Sequence, residues 1–353
     1  MTLSSGYEAS TGLGEDVMLS TNTKQKILVI QPMVGIGDMV WHKPWLDDII
    51  SSHHVVLMAK PSSQASAVLC DHPDLEVIPL HRAERGKKSH HDGWLGFFKL
   101  VSAMRSAKAD EVWILHKSWR YAVAAIFAGI KRRAGYGFGK QRFALNLAAP
   151  LSSDLKKAHP RETAAAFCAQ FRIKPKDTHP QIKPNKEMRA KAEELAPKTP
   201  YIVMGVGAAD EIRRWSPKRF AGLITKLRAS HPDIGIILCG SPAEAVIGDR
   251  IIDALDQNVE PPQLMFDQTV HTVIAIHERA ALYIGNDTSL INIAAAVGTK
   301  AIRIFASNLP VLASPLIETH LPEDEDRIDV FGAINDIDDD RIYKAALKYF
   351  DAS

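Results

Sequence analysis

The feature that most constrains the fold of this chain is a repeated alternation of short apolar segments with helix-forming ones. The first series of apolar segments lies at residues 26–31, 55–59, 76–80 and 111–115. A second series lies at residues 201–206, 234–239, 263–266, 281–284 and 301–305. Short apolar strands separated by helices are typical of parallel sheets that are buried on both faces. The pattern therefore predicts an α/β protein with two doubly wound domains.

The boundary between the two predicted domains lies in a Pro-rich stretch. Residues 174–200 contain five prolines around one charged helical segment, Lys186 to Leu195, which is a linker composition. We therefore predict a first domain at residues 25–175, a linker at 176–200 and a second domain at 201–335. A polar flexible tail at residues 1–24 and an amphipathic helix within 336–353 complete the prediction.

The bulk composition indicates a globular protein with an ample core, since 46% of its residues are hydrophobic and 24% are charged. No apolar run approaches the ~18 residues of a membrane span, and the first residues lack the pattern of a signal peptide. We therefore expect a cytoplasmic protein. The cysteines Cys70, Cys168 and Cys239 are far apart in apolar surroundings, so we expect reduced thiols that bind no metal.

The net charge of +2 hides a difference between the two halves of the chain. Residues 1–176 contain 24 Lys and Arg and 15 Asp and Glu, whereas the remainder contains 19 and 26. Solvated surface explains this excess as well as attraction to an anionic partner does. Such a partner would be a phosphorylated acceptor or an anionic membrane surface. No nucleic-acid motif accompanies the charge, so we expect no nucleic-acid partner.

The first motif, Gly35-Ile-Gly37-Asp38, follows the first predicted strand. It resembles the start of a dinucleotide fingerprint, but Val40 occupies the position of the third glycine, which argues against a nicotinamide dehydrogenase. Asp38 lies where the loop becomes a helix. The helix dipole would stabilise its charge there, and the carboxylate could act as a general base. An aspartate that only caps the helix is an equally good interpretation.

Two further motifs follow strands of the second domain. Gly207 would let the backbone approach a ligand closely, and Arg213 and Arg214 could neutralise a diphosphate leaving group. A surface loop with two solvated arginines is the competing interpretation. Glu244 follows the next strand and could accept hydrogen bonds from ribose hydroxyls, or simply occupy the first turn of a helix.

The fourth motif is the strand, turn and apolar helix of residues 281–299. We predict a helix from Asp287 to Val297 that is closed by Gly298, with Asp287 or Thr288 as the N-cap. The N-terminus of a helix has unpaired N–H groups and the positive end of the dipole, which makes it an anion site. Asp287, Thr288 and Ser289 would then face a phosphate. An ordinary βα turn explains the same residues.

Taken in order, these stretches resemble glycosyltransferase family 9, the ADP-heptose:lipopolysaccharide heptosyltransferases. The similarity covers about residues 26–306. The matching positions are Gly37, Asp38, Pro44 and Leu46, then Gly207, Ala208, Arg213, Trp215 and Pro217, then Gly240 and Glu244, and finally Gly285 to Thr299. The segment from Arg133 to Asn146 is also similar to the part of the family that precedes the linker.

The resemblance implies a GT-B fold, with the acceptor on the first Rossmann-like domain, the nucleotide sugar on the second and catalysis in the cleft. It implies inverting transfer from a nucleotide diphosphate sugar, with ADP-heptose as the expected donor, and no metal or other cofactor. The expected acceptor is a lipopolysaccharide core or another anionic glycan, and peripheral contact with the inner membrane is compatible with this.

The resemblance also implies roles for particular residues. Asp38 matches the catalytic base, and Arg213 matches a basic position, usually Lys, that binds the donor phosphates. Glu244 matches the ribose-binding carboxylate, and the start of the helix at Asp287, Thr288 and Ser289 matches the phosphate site. We add Gly207 and Arg214 to the donor site, and we assign the acceptor to the basic residues Arg133, Lys140 and Arg142.

The chain departs from the family pattern Asp-Thr-Gly-x-x-His at two positions, where it has Ser289 and Asn292. Ser289 adds a side chain where a phosphate needs close approach, and Asn292 cannot carry a positive charge. Arg213 in place of Lys keeps the charge but changes its geometry. Ser289 and Asn292 leave open a sugar-nucleotide or glycan-binding protein with little activity. A GT-B sugar-nucleotide epimerase is a further alternative.

Overall fold

The structure is a computed structural model that describes residues 25–84, 86–307 and 314–350. The tail predicted for residues 1–24 lies outside this part of the chain. Within the described residues, no helix combines the length and the apolar character needed to cross a membrane.

The first domain is a five-stranded parallel sheet with helices on both faces. Its strands are β1 (Lys26–Gln31), β2 (His54–Ala59), β3 (Glu76–Pro79), β4 (Glu111–Ile114) and β5 (Arg132–Gly135), in the spatial order β3-β2-β1-β4-β5. Its helices are α1 (Ile36–Ser52), α2 (Ala65–Val68), α3 (Gly93–Ser106), α4 (Trp119–Phe127) and α5 (Pro160–Ala169). The order of the strands reverses between β1 and β4.

The second domain is a six-stranded parallel sheet. Its strands are β6 (Tyr201–Gly205), β7 (Gly235–Cys239), β8 (Gln263–Met265), β9 (Leu282–Asn286), β10 (Ala301–Ile304) and β11 (Ile317–His320), in the order β11-β10-β9-β6-β7-β8. Its helices are α6 (Lys186–Leu195), α7 (Pro217–Ser230), α8 (Ala245–Asp253), α9 (Val270–Arg279), α10 (Ser289–Ala296) and α11 (Asp339–Leu347). The predicted α/β class with two doubly wound, parallel-sheet domains is confirmed.

The switch point of the second sheet lies between β6 and β9, where ligands of doubly wound sheets bind. The two strands approach closely because Gly285 pairs with Gly205, and a Cβ on Gly285 would overlap the Gly205 backbone. The buried side chain of Asn286 then joins three segments. Its Nδ2 donates to the carbonyl of Val206 at 2.8 Å, and its Oδ1 accepts from the backbone N–H of Trp215 at 3.0 Å.

The two domains share one apolar core at their interface. Helix α1 packs against α10, and α2 packs against α9. The linker joins this interface, since the N–H of Ile182 donates to the carbonyl of Ala296 at 2.8 Å. Within the predicted linker, α6 packs on α9 of the second domain. These contacts hold the starts of α1 and α10 on opposite walls of one cleft.

Candidate active site in the interdomain cleft

A cavity of about 820 Å³ lies between the two domains, at the carboxyl ends of β1, β6, β7 and β9. Its volume is typical of a small-molecule site. A cavity of about 460 Å³ beside the linker lies behind α10 and contains none of the predicted site residues. Seven predicted residues line the larger cavity: Asp38, Gly207, Arg213, Glu244, Asp287, Thr288 and Ser289.

Asp38 is the third residue of α1 and is half-buried at the wall of the cavity. Its Oδ2 accepts a hydrogen bond from the N–H of Gly35 at 3.1 Å, so the carboxylate caps its own helix. The backbone carbonyl of Asp38 accepts from Nδ1 of His42 at 2.7 Å. Burial lowers the pKa of His42, so a neutral imidazole fixes this turn. Asp38 therefore caps the helix and also faces the cavity, and its role as a general base stays a prediction.

The start of α10 lies across the cavity and is capped by a hydroxyl rather than a carboxylate. Thr288 is the N-cap, and its side-chain oxygen accepts from the N–H of Leu290 at 3.3 Å. Ser289 is the first helical residue and is half-buried at the cavity wall. The predicted helix began two residues too early, at Asp287. A helix start with a neutral cap presents N–H groups and a positive dipole end, which suits an anion.

Asp287 does not cap α10, because its side chain turns towards the sheet. Its Oδ1 lies 3.2 Å from Nε of Arg303, a fully buried residue of β10. Burial raises the pKa of the Asp287 carboxyl, against the opposite influence of Arg303 and Arg213. A second carboxylate therefore lies beside the helix start, and Arg303 offsets its repulsion of an anion.

Arg213 and Arg214 have different surroundings, although they are adjacent. Arg213 lines the cavity, where its Nη2 donates to Asp210 at 3.0 Å. Its Nε is buried and donates to no atom of the described residues. Nε of Arg214 donates to the carbonyl of Ala208 at 2.9 Å, and its side chain lines a separate cavity of about 190 Å³. The structure therefore does not bring Arg214 into the predicted donor site; it braces the loop after β6.

Glu244 and Gly207 are in direct contact at the wall of the second domain. Oε2 of Glu244 accepts from the N–H of Ser241 at 2.7 Å and from its hydroxyl at 2.9 Å. A Cβ on Gly207 would overlap the Glu244 carboxylate. Gly207 is therefore needed for the close approach of this carboxylate, which remains half-buried and accessible from the cavity.

The three residues assigned to the acceptor do not line the cavity. The guanidinium of Arg133 donates to the backbone carbonyls of Ile130, Lys131 and Ala144, so it holds the turn around β5 together. Lys140 and Arg142 are exposed on a short 3-10 helix at Gly139–Ala144. The structure thus corrects the assignment of Arg133, whose charge is used to satisfy carbonyls of its own domain.

Trp41, His159 and Pro160 are among the cavity residues that were not predicted as site residues. Trp41 lies one turn after Asp38 on α1, and its ring packs on His159 with centroids 4.3 Å apart. Nδ1 of His159 accepts from the N–H of Arg161 at the start of α5, and Pro160 follows it at the cavity wall. Burial lowers the pKa of His159, although the Glu162 and Asp38 carboxylates oppose this. Trp41 could have been predicted, because its helical spacing places it on the same face of α1 as Asp38. His159 has no such signal, because it lies 121 positions after Asp38 in the sequence.

Helices α1 and α10 meet at Gly37 and Asn292. A Cβ on Gly37 would lie 3.0 Å from Nδ2 of Asn292, so only a glycine fits without displacement. This Nδ2 donates to the carbonyl of Thr288 at 3.4 Å. Oδ1 of Asn292 is buried and accepts no hydrogen bond from the described residues. The departure from the family pattern at Asn292 therefore lies at the contact between the two walls.

Among the described residues, one group of side chains lies close enough together to hold a metal, but a lysine pairs with both of its carboxylates. Asp47, Asp71 and His72 bring their ligand atoms close together at the base of α1. Nζ of the fully buried Lys43 donates to Asp71 at 2.7 Å and to Asp47 at 2.9 Å. The group is therefore a buried ion pair, and it lies outside the cleft cavity.

Two parallel-sheet domains that face each other across a cleft are the architecture of the GT-B fold. The chain matches the model of glycosyltransferase family 9 (heptosyltransferase) over residues 97–320. It belongs to this family and is a glycosyltransferase.

Similar proteins have the same architecture. The chain is 24% identical over 313 residues to lipopolysaccharide heptosyltransferase 2 of Salmonella typhimurium, which spans 82% of this chain and 85% of that protein. The structure of E. coli ADP-heptose lipopolysaccharide heptosyltransferase II is 20% identical, with a TM-score of 0.72 over 93% of this chain and 99% of that one. E. coli heptosyltransferase WaaC with ADP-2-deoxy-2-fluoro heptose is 14% identical, with a TM-score of 0.65 over 92% and 99%. These structures share the GT-B fold.

Proposed function

We propose that this glycosyltransferase transfers heptose, or a related sugar, from a nucleotide diphosphate sugar to a lipopolysaccharide-core or other glycan acceptor, with inversion at the anomeric carbon. ADP-heptose is the proposed donor. The observation that carries the proposal is the position of Asp38 and the start of α10 on opposite walls of one cavity. The names of the similar proteins support the heptose donor.

In the proposed reaction, Asp38 accepts the proton of the acceptor hydroxyl while its oxygen attacks the anomeric carbon. The new carbon–oxygen bond forms as the bond from this carbon to the diphosphate breaks, and the diphosphate leaves with the electron pair. The positive end of the α1 dipole stabilises the carboxylate before it takes the proton. The family model begins after Asp38, so this role depends on its position in the cleft.

The second domain would stabilise the leaving diphosphate in two ways. The N–H group of Ser289 lies at the positive end of α10, and Arg213 adds a full charge at the same cavity. Glu244 would accept hydrogen bonds from the ribose hydroxyls, since it lies at the cavity wall in the turn that follows β7.

The test replaces Asp38 with Asn, which keeps the size and the cap but removes the base. We expect a loss of about 10²–10⁴-fold in kcat, the usual contribution of a general base, with donor affinity nearly unchanged. Asp74→Asn is the matched control, since Asp74 is an exposed aspartate outside the cavity.

Transfer is measured as nucleoside diphosphate release, and the anomeric configuration of the product by NMR. Wild-type turnover of the Asp38→Asn variant would remove Asp38 from the mechanism. Conversion of the donor without any acceptor would instead indicate the epimerase. A thermal shift with the donor and no diphosphate release would indicate a binding protein.

A further inference from the structure

The first domain exposes a group of large apolar side chains, which we call the aromatic face. Trp94 is 75% exposed and Phe143 is 78% exposed. The remaining members are Leu95, Phe98, Trp119, Ile126 and Phe127, each at least 45% exposed. Single exposed apolar residues are ordinary, but a contiguous set of them marks an interaction surface.

The aromatic face is continuous across α3, α4 and the 3-10 helix at Gly139–Ala144. Helix α3 packs on α4, where the Phe97 and Phe127 rings meet edge-to-face at 5.7 Å. Trp94 and Phe98 meet in the same manner at 4.9 Å. Helix α4 also packs on the 3-10 helix that carries Phe143. These side chains therefore support one another in exposed positions.

The same elements carry almost only positive charge. Residues 93–153 contain ten Lys and Arg against two acidic residues, Asp110 and Glu111. Glu111 is buried and paired with Arg132 at 2.9 Å, so it contributes little negative charge to the surface. Lys99 is exposed on α3, and Arg142 lies over the ring of Phe143 at 4.7 Å. Cations therefore outnumber acidic residues on the elements that carry the aromatic face, and Lys99 and Arg142 lie on those elements.

The position of the aromatic face relates it to the cleft. Trp94 and Trp119 lie at the N-terminal ends of α3 and α4, which follow the carboxyl ends of β3 and β4. Asp38 follows β1 at the same edge of the sheet. A flat partner on this face would therefore extend towards the side of the domain on which the acceptor hydroxyl must reach Asp38.

We propose that the aromatic face docks on the surface of an anionic phospholipid bilayer, with Trp94, Phe98 and Phe143 at the level of the headgroups. Aromatic rings prefer this interfacial depth, and nearby Lys and Arg side chains are attracted to an anionic leaflet. An apolar strip bordered by long cationic side chains is the pattern of peripheral membrane helices. The choice of a bilayer over a protein partner rests on the proposed function, since a lipopolysaccharide-core acceptor is lipid-borne.

The experiment measures co-sedimentation of the full chain with vesicles that contain neither donor nor acceptor. One set is phosphatidylcholine alone, and the other includes phosphatidylglycerol. We expect binding to the anionic vesicles that weakens as salt is added, and weak binding to the neutral ones. The triple variant Trp94→Ser, Leu95→Ser, Phe98→Ser should bind at least about tenfold more weakly, because it loses three interfacial side chains. Lys99→Glu should weaken binding to the anionic vesicles alone.

Phe331→Ser is the matched control, since Phe331 is 70% exposed but belongs to the second domain. It should bind as the wild type does. Thermal melting of each variant shows whether the fold is kept, and Lys99→Glu tests the face without removing any apolar group. Equal binding of the triple variant and the control, or no preference for anionic vesicles, would overturn the inference.

Transfer to a soluble acceptor is measured separately for the same variants. Vesicle binding by a protein without transferase activity would overturn the proposed function and leave the docking surface standing. Transfer activity without vesicle binding would overturn the docking surface and leave the proposed function standing.

Discussion

The two helices that begin at the cleft have the same form and opposite chemistry. Helix α1 is capped by its own carboxylate, Asp38, whereas α10 is capped by the hydroxyl of Thr288. The carboxylate beside α10, on Asp287, is held by Arg303. We therefore expect the carboxylate at the start of α1 to serve as a base, and the start of α10, with its neutral cap, to bind an anion. The following predictions test this difference.

The largest expected effect is on the stability of the second wall. Replacing Arg303 with Met would leave the Asp287 carboxylate buried beside α10 without its cation. We expect a loss of about 3–5 kcal/mol in the free energy of unfolding, the usual cost of breaking a buried pair. Chemical denaturation measures it, and the double variant Asp287→Asn, Arg303→Met should recover a large part. A loss below about 1 kcal/mol in the free energy of unfolding, typical of a surface ion pair, would show that Arg303 does not stabilise the Asp287 carboxylate.

The adjacent arginines provide a matched pair for the anion site. Arg213→Ala should weaken donor binding by about 10–100-fold, since a hydrogen bond to a charged group is worth about 1.5–3 kcal/mol. Arg214→Ala should change it about twofold, because Arg214 faces a different cavity. Calorimetric titration with ADP measures both. Equal losses would place the anion outside the start of α10.

Acid should weaken the first domain before the second. Burial lowers the pKa of His91 and of His116 to about 4, and it also lowers those of His42 and His159. These groups are neutral when folded and take a proton more readily when unfolded. Their contribution is complete above pH 6.5, the ordinary value, and is lost as the pH falls towards 4.

Each such group costs at most about 1.4 kcal/mol per pH unit in that interval. Hydrogen exchange at pH 7 and pH 5 measures the effect in each domain. The second domain contains His277, whose pKa is also lowered by burial to about 4, and His320, which shifts in the same direction. It should therefore lose less protection than the first. Equal losses of hydrogen-exchange protection in the two domains would contradict the expected difference in acid sensitivity.

The smallest expected effect is at the contact between the two walls. Gly37→Ala would place a methyl group 3.0 Å from Nδ2 of Asn292, so this amide must shift by a few tenths of an ångström at the contact between α1 and α10. We expect kcat/KM to fall about tenfold, since small misplacements of reacting groups are costly. Asn292→Ala in the same chain removes the obstruction and should restore most of the rate. A double variant as slow as Gly37→Ala would assign the loss to α1 itself.

Most of the fold was predictable because its strands are apolar runs in a chain of alternating elements. The exceptions are β5, which begins with two arginines, and the edge strand β11, which contains Glu318 and His320. Their residues do not form a continuous apolar run, and neighbouring strands supply the pairing. Tertiary contacts thus overrode the local pattern.

The site was predictable where residue type and local position together define a role. Asp38, Glu244 and the start of α10 each follow a strand at the start of a helix, and the structure places them on one cavity. His159 was not predictable, because only the packing of α5 against α1 brings it to Trp41. Arg133 and Arg214 were misassigned because a charge does not reveal whether a nearby carbonyl already uses it.

The most direct test of the central claim is a crystal structure of the chain with a non-hydrolysable ADP-heptose analogue. We expect the diphosphate at the start of α10, beside the N–H group of Ser289 and Arg213, with the anomeric carbon facing Asp38. A diphosphate bound elsewhere, or an anomeric carbon on the side away from the Asp38 carboxylate, would contradict it.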